Sequence, residues 1–148
     1  MIRRMKKEDL DKAAEIWLDT NQKAHSFIPA QYWEDHFELV KAQLPQAEVY
    51  VYEDEGSRQI QGFVGLNGDF IAGIFVQSQA QSRGIGTMLM SFVKNIRKQL
   101  TLNVYQKNAA AVRFYQREAF EIREERNDEN TGEQEYTMVW RKQPYESI

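Results

Sequence analysis

The stretch of this 148-residue chain best suited to chemistry is Gln81-Ser82-Arg83-Gly84-Ile85-Gly86-Thr87. An apolar run ends at Val76, a polar loop follows, and a strongly amphipathic pattern begins at Ile85. Backbone N–H groups at a helix start lack intrahelical partners and lie at the positive end of the helix dipole, so phosphate oxygens can be held there without many basic side chains. Gly84 and Gly86 permit close backbone approach, and Arg83 adds positive charge. A glycine-rich loop that merely turns the chain has the same composition. Two phosphate motifs are absent: the dinucleotide fingerprint needs a third glycine where Leu89 stands, and no G-x-x-x-x-G-K-[ST] occurs, which weakens dinucleotide and nucleoside triphosphate readings.

Other chemistry is limited by what the composition lacks. With no cysteine there is no disulfide, thiolate zinc site, iron–sulfur cluster or enzyme-bound thioester. His25 and His36 are the only histidines, so a three-histidine metal site is impossible and no catalytic metal is expected. Nineteen Lys and Arg against 22 Asp and Glu leave a formal net charge of −3, without the basic field of a nucleic-acid binder. The longest apolar stretch, Phe70 to Val76, falls far short of the roughly 20 residues that span a bilayer. The charged N-terminus leads into Glu8-Asp9 rather than an apolar signal core. One domain over residues 1–148, in the cytoplasm and without membrane attachment, is the expectation.

Hydrophobic spacing predicts the elements that position the loop. A strand at Ile2 to Met5 precedes a helix from Glu8 to Asn21, and a second helix follows Pro29, with His25-Ser26-Phe27-Ile28 in the loop between. Strands at Glu48 to Glu53, Gln59 to Leu66 and Asp69 to Val76 form a meander whose second turn is Asn67-Gly68, a pair suited to two positive φ angles. A helix from Ile85 to Lys98, a strand at Leu100 to Tyr105, a helix at Ala109 to Glu118, and strands at Phe120 to Arg123 and Tyr136 to Trp140 complete the chain. The order mixes an antiparallel meander with two strand–helix–strand crossovers. The expected class is α+β, or α/β by a looser convention, with a mixed, mostly antiparallel sheet of about seven strands and helices on both faces.

The pattern Gln81-x-x-Gly84-x-Gly86 is followed by Asn108-x-x-Ala111-x-x-Phe114-Tyr115-x-x-x-Ala119-Phe120. In that order, separated by one helix and one strand, the two resemble the GNAT superfamily of acyl-CoA-dependent N-acyltransferases over most of the chain. His25-x-Phe27-Ile28 ahead of Tyr32-Trp33, and Val104 to Asn108 leading into the last helix, are similar to the small bacterial YiaC/YjaB-like type. Ala119 departs from the usual glycine and is expected to distort the end of its helix.

The resemblance implies direct transfer of acetyl from acetyl-CoA to an amine in a ternary complex, and the missing cysteine independently requires a route without an enzyme thioester. It assigns Ile74, Phe75 and Val76 to the pantetheine arm and the thioester carbonyl, and the segment Gln81, Ser82, Arg83, Gly84, Ile85, Gly86 to the pyrophosphate, with Thr87 beside it. Asn108, Ala111, Phe114 and Tyr115 complete the cofactor wall, and Tyr115 is the general acid for the leaving thiolate. His25 is the catalytic-base candidate, with Tyr105, Tyr32 and Glu34 as others acting through water. Asn103 stands where related sequences often carry an acid. Phe27, Tyr32, Trp33, Asn103 and Tyr105 are expected near the acceptor, Trp33 mainly as core. The acceptor implied is a protein lysine or N-terminus, with no nucleic acid partner and a monomer or homodimer. A small-molecule or antibiotic acceptor, and a non-catalytic acyl-CoA-binding regulatory module, are the alternatives.

Overall fold

Alternation along the strands decides which helix covers which side of the sheet. In a strand, successive side chains point to opposite faces. Glu48–Glu53 (β2) therefore sends Val49 and Val51 to one core with Ala13, Ala14, Ile16 and Phe63, while Tyr50 and Tyr52 pack against the other, built around Val64, Leu66, Leu89, Val93 and Leu102. The computed structural model describes residues 1–143. Its further elements are β1 (Ile2–Arg4), α1 (Leu10–Ala24), α2 (Ala30–Gln43), β3 (Ile60–Asn67), β4 (Phe70–Val76), α3 (Ile85–Ile96), β5 (Gln99–Tyr105), α4 (Ala109–Arg117), β6 (Glu121–Asn127) and β7 (Gln134–Arg141). Helices α1 and α2 cover the first core, and α3 and α4 the second.

The strand order is β1-β2-β3-β4-β5-β7-β6, antiparallel everywhere except β4–β5. The mixed, mostly antiparallel α+β sheet is thus as expected. That one parallel pair is short: β4 and β5 match only at Phe70↔Thr101 and Ile71↔Leu102. Beyond Ile71 the strands part. The cause is visible in the β3–β4 register, which runs Gly65↔Gly73 and then Leu66↔Ile71, leaving Ala72 unmatched. An extra residue bends its strand, and the bend carries the end of β4 away from β5.

Three expectations need correction. The tight turn is Gly68-Asp69 rather than Asn67-Gly68: Asn67 pairs with Phe70 inside the sheet, and of the three only Gly68 has a positive φ, 61°. A glycine at the first central position of a two-residue hairpin needs only one such angle. Strands β6 and β7 are longer than hydrophobic alternation suggests, because backbone pairing from Glu121↔Val139 to Asn127↔Gln134, shifted by one residue between Ile122 and Glu124, holds a strand whose residues are all exposed.

The end of α4 is well formed despite Ala119. The Phe120 N–H donates to the Tyr115 carbonyl (3.0 Å) and the Ala119 N–H to that of Gln116 (3.0 Å), with Ala119 at φ 69°. This is a Schellman cap, closed by a Tyr115–Phe120 ring contact at 5.9 Å. An alanine pays for this left-handed conformation through its Cβ. Ala119→Gly is expected to stabilise the protein by roughly 1 kcal/mol, a rise of about 2 to 4 °C in Tm. Thermal and urea unfolding check this, and a lowered midpoint would show that the alanine is unstrained.

Candidate active site

The divergence of β4 from β5 leaves main-chain polar groups without strand partners. The Gln77 N–H donates to the Gln61 carbonyl at 2.8 Å. Hydrogen-bonded pairs alternate in an antiparallel ladder, so Phe75 bonds to Phe63 across β3, whereas Ile74 and Val76 turn their N–H and C=O groups into the split. The Gln81 side chain takes one of these, its Nε2 donating to the Val76 carbonyl at 3.0 Å. Gln81 thereby closes the loop onto β4.

That loop delivers the chain to α3 with Ser82 at φ 68° and Gly84 at φ 81°. Among the described residues no atom lies within 4 Å of a Cβ built on Gly84, so its left-handed backbone, rather than crowding, calls for glycine. The first helical bond of α3 runs from the Met88 N–H to the Gly84 carbonyl, so the N–H groups of Ile85, Gly86 and Thr87 precede the helical ladder. They border a cavity of about 440 Å³ lined also by Ile74, Val76, Ala111, Phe114 and Tyr115. Gly86 sits against Phe114 and Val76, with an added Cβ at 3.6 and 3.9 Å from them. Arg83 is exposed at the rim.

A second cavity of about 390 Å³ adjoins the first and shares Ile74, Val76, Gln81, Ala111 and Tyr115 with it. Tyr115 thus stands in the common wall. Burial pushes its phenol up to about 12, so it keeps its proton throughout the neutral range. The other walls include His25, Trp33, Asn103, Tyr105, Asn108 and Glu135. Phe27 packs behind them, its ring 5.6 Å from His25 and 5.7 Å from Tyr105. Trp33 is both core and wall, being 7% exposed. Tyr32 lies outside this lining, edge-on to Trp33 at 4.9 Å, and stacks on His36, whose Nδ1 meets the Tyr32 carbonyl. Glu34 is exposed on α2 and lines neither cavity. A larger cavity of about 590 Å³ between α2 and the sheet touches the second cavity through Trp17, Ala72, Gly73 and Phe75, but includes neither Tyr115 nor the start of α3.

His25 and Asn108 meet across 83 residues of sequence. As the N-cap of α4, Asn108 accepts from the Ala111 N–H through Oδ1 (3.3 Å), which fixes the amide so that Nδ2 faces His25 Nε2 at 3.2 Å. Nε2 must then accept, and the imidazole proton sits on Nδ1, which is buried with no hydrogen-bond partner among the described residues. Burial lowers the His25 pKa to about 4, with the Asn21 backbone opposing it. The ring is stacked on Trp33 (5.4 Å) and edge-on to Tyr105 (5.0 Å). A neutral ring whose free lone pair is already engaged orients Asn108 better than it takes protons.

The sign of the resulting pH effect is fixed. Between about pH 6.5 and 4 the unfolded chain binds a proton at His25 that the folded chain refuses, so folding stability should fall as pH drops through this window. His25→Gln should flatten that part of the urea-midpoint profile. An NMR titration of His25 with a midpoint near 6.5 would contradict the burial argument.

Two acidic residues at this site carry no signal in the sequence. Tyr105 donates its O–H to Asp128 (2.6 Å), and its phenol pKa is raised by burial and by this bond. Glu135 pairs with Tyr105 across β5–β7 and lines the second cavity. Both lie in the charged run that reads as a loop, and only the unforeseen lengths of β6 and β7 bring them to the site.

Known proteins match this arrangement. The family model described as an acetyltransferase (GNAT) domain covers residues 45–122, from the turn before β2 into β6. The chain is 41% identical over 124 residues to the peptidyl-lysine N-acetyltransferase YiaC of Escherichia coli K12, covering 82% of this chain and 84% of that one. It is 29% identical over 121 residues to the peptidyl-lysine N-acetyltransferase YjaB of the same organism, covering 82% of each. The solution structure of apo YjaB from Escherichia coli superposes with a TM-score of 0.85 at 26% identity, over 97% of this chain and 98% of that one. Among the described residues no helix is long and apolar enough to cross a membrane. The split sheet, the glycine loop opening α3, the Asn108 to Tyr115 helix and these relatives agree: the chain belongs to the GNAT family and is an acyl-CoA-dependent N-acetyltransferase.

Proposed function

We propose that the amine acetylated is a lysine side chain of a protein. The observation that carries this is the cavity meeting the cofactor slot at Tyr115: aromatic walls from His25, Trp33 and Tyr105 suit an alkyl stem, and Glu135 suits the ammonium at its end. The names of YiaC and YjaB, both peptidyl-lysine N-acetyltransferases, support the same acceptor.

Acetyl-CoA supplies the acetyl thioester. The residues present fit such a donor: free N–H groups at Ile85, Gly86 and Thr87 suit a pyrophosphate, with Ser82, Arg83 and Gly84 at its rim, and the inward-facing backbone of Ile74 and Val76 suits a pantetheine amide and the thioester oxygen as charge grows on it. Phe75 supports this strand from the opposite face, its ring folded over Gly73 and packed on Phe63 at 4.9 Å. Ala111 and Phe114 form the apolar wall, Asn108 holds the entry to α4, and Tyr115 offers its O–H to the departing sulfur.

The test is acetyl-CoA turnover against an N-terminally blocked lysine peptide, a peptide with only a free α-amine, a polyamine and an aminoglycoside, read by thiol release and product mass. The lysine peptide is expected to lead in kcat/KM by at least about tenfold, a preference of about 1.4 kcal/mol. A lead by the polyamine or the aminoglycoside would overturn the protein-lysine reading.

A further inference from the structure

A lysine ammonium is neutral to only about one part in 2500 at pH 7, so the reaction needs a group that takes its proton. His25 is poorly placed for this, its lone pair being held by Asn108. Asp128 is engaged by the Tyr105 hydroxyl at 2.6 Å. Glu135 differs from both. Its side chain is only 13% exposed, it lines the acceptor cavity, and among the described residues no N–H or O–H donates it a well-formed hydrogen bond. Its nearest cation is the half-exposed Arg126, with Nε 3.4 Å from Oε1. Buried carboxylates are ordinarily paired and bonded, so one left with open acceptor positions in a cavity lacks a donor of its own. Trp33 in the same lining is similarly unsatisfied, its Nε1–H buried without a partner among the described residues.

We infer that Glu135 receives the ammonium of the acceptor and is the general base that removes its proton. The inference rests on the lysine reading only for the identity of the amine. The step balances. Glu135 takes one proton from the ammonium and later releases it to solvent; the neutral nitrogen forms the C–N bond as the C–S bond breaks; the Tyr115 proton goes to sulfur, and the second nitrogen proton restores Tyr115. The charged and titratable groups around Glu135 are Asp128 in the β6–β7 loop, Arg126 on β6, Tyr105 on β5 and Tyr32 on α2. Burial, and then Asp128, raise the Glu135 pKa from its ordinary value, with Arg126 opposing. A base poised nearer neutrality accepts a proton more readily than an ordinary surface carboxylate.

Glu135→Gln tests this with two acceptors, the blocked lysine peptide and n-pentylamine, which has the stem and ammonium without a polypeptide. At pH 7 kcat/KM should fall about 10²- to 10³-fold. Because the variant must wait for free amine, its rate should climb with unit slope toward pH 9 and the deficit should narrow, while binding of acetyl-CoA by calorimetry and the Tm stay near the parent's. Glu135→Asp should recover part of the rate, and Asp128→Asn should move the acid limb of the parent profile to lower pH. A deficit that is constant across pH, or no deficit, would overturn the assignment. If the parent uses pentylamine and not the peptide, the lysine-protein reading fails while the Glu135 test still stands on pentylamine.

Discussion

Tyr115→Phe should lower kcat for acetyl transfer about 10²- to 10⁴-fold while leaving acetyl-CoA binding nearly unchanged. The side chain lines the wall between the two cavities, the one proposed for acetyl-CoA and the one proposed for the amine. It makes no hydrogen bond to the protein among the described residues, and the ring is held by Phe114 at 5.4 Å and Phe120 at 5.9 Å. Deleting the oxygen therefore leaves the packing intact, and Tm should move little. With its pKa pushed up to about 12, the phenol remains a donor at every pH at which the enzyme is stable, so its loss should depress the rate by a similar factor from pH 6 to 9. This separates it from Glu135→Gln, whose deficit depends on pH. Steady-state kinetics with the lysine peptide and calorimetry with acetyl-CoA provide the comparison. A Phe variant as fast as the parent would remove Tyr115 from the chemistry.

Gly86→Asp is the second large effect, and it should split binding from stability in opposite directions. Gly86 is the second residue of α3, between Ile85 and Thr87, and lines the cavity proposed for the pyrophosphate. An added Cβ meets Phe114 and Val76 at ordinary contact distances, so the fold has room for it. A carboxylate in the first helical turn interacts favourably with the dipole, by about 0.3 to 1 kcal/mol, and replacing glycine in a helix adds further stability. The same carboxylate would occupy the N–H donors and repel a phosphate. Like-charge opposition of roughly 3 kcal/mol corresponds to a Kd for acetyl-CoA about a hundredfold weaker. The expected pair of results is a Tm at or above the parent's and a large loss of affinity by calorimetry. Unchanged affinity would place the phosphates elsewhere.

Much of the cavity wall proposed for the cofactor was legible because its elements depend on local backbone chemistry. The i, i+3, i+4 pattern from Ile85 marks α3, glycines at 84 and 86 mark its entry, and Asn108 marks the cap of α4. The cavity proposed for the acceptor was legible only in fragments. The His25–Asn108 contact joins an interhelical loop to a cap 83 residues away, and no spacing rule connects them. Strand β6 is exposed at every position, and its run of Glu and Arg lacks the alternation by which a half-buried strand announces itself. Its place comes from hydrogen bonding to β7, a tertiary effect that overrides propensity. Glu135 and Asp128 were hidden for that reason. The split itself turns on the unmatched Ala72, one residue of register invisible in a short apolar run.

The split has a consequence for self-association. Unpaired strand edges invite other chains to add to the sheet, and β6 on the outer margin meets that hazard with charge along its length. Ile74 and Val76 present an equally unpaired edge, and it is apolar. Its protection comes from position: it lies inside the sheet, with β5 ahead of it, α4 across its opening and the Gln81 amide on its last carbonyl. A whole β-strand has no way into such a notch, whereas a slender chain does. The protein can therefore keep a row of backbone hydrogen-bonding groups open for its ligand without offering a template for aggregation.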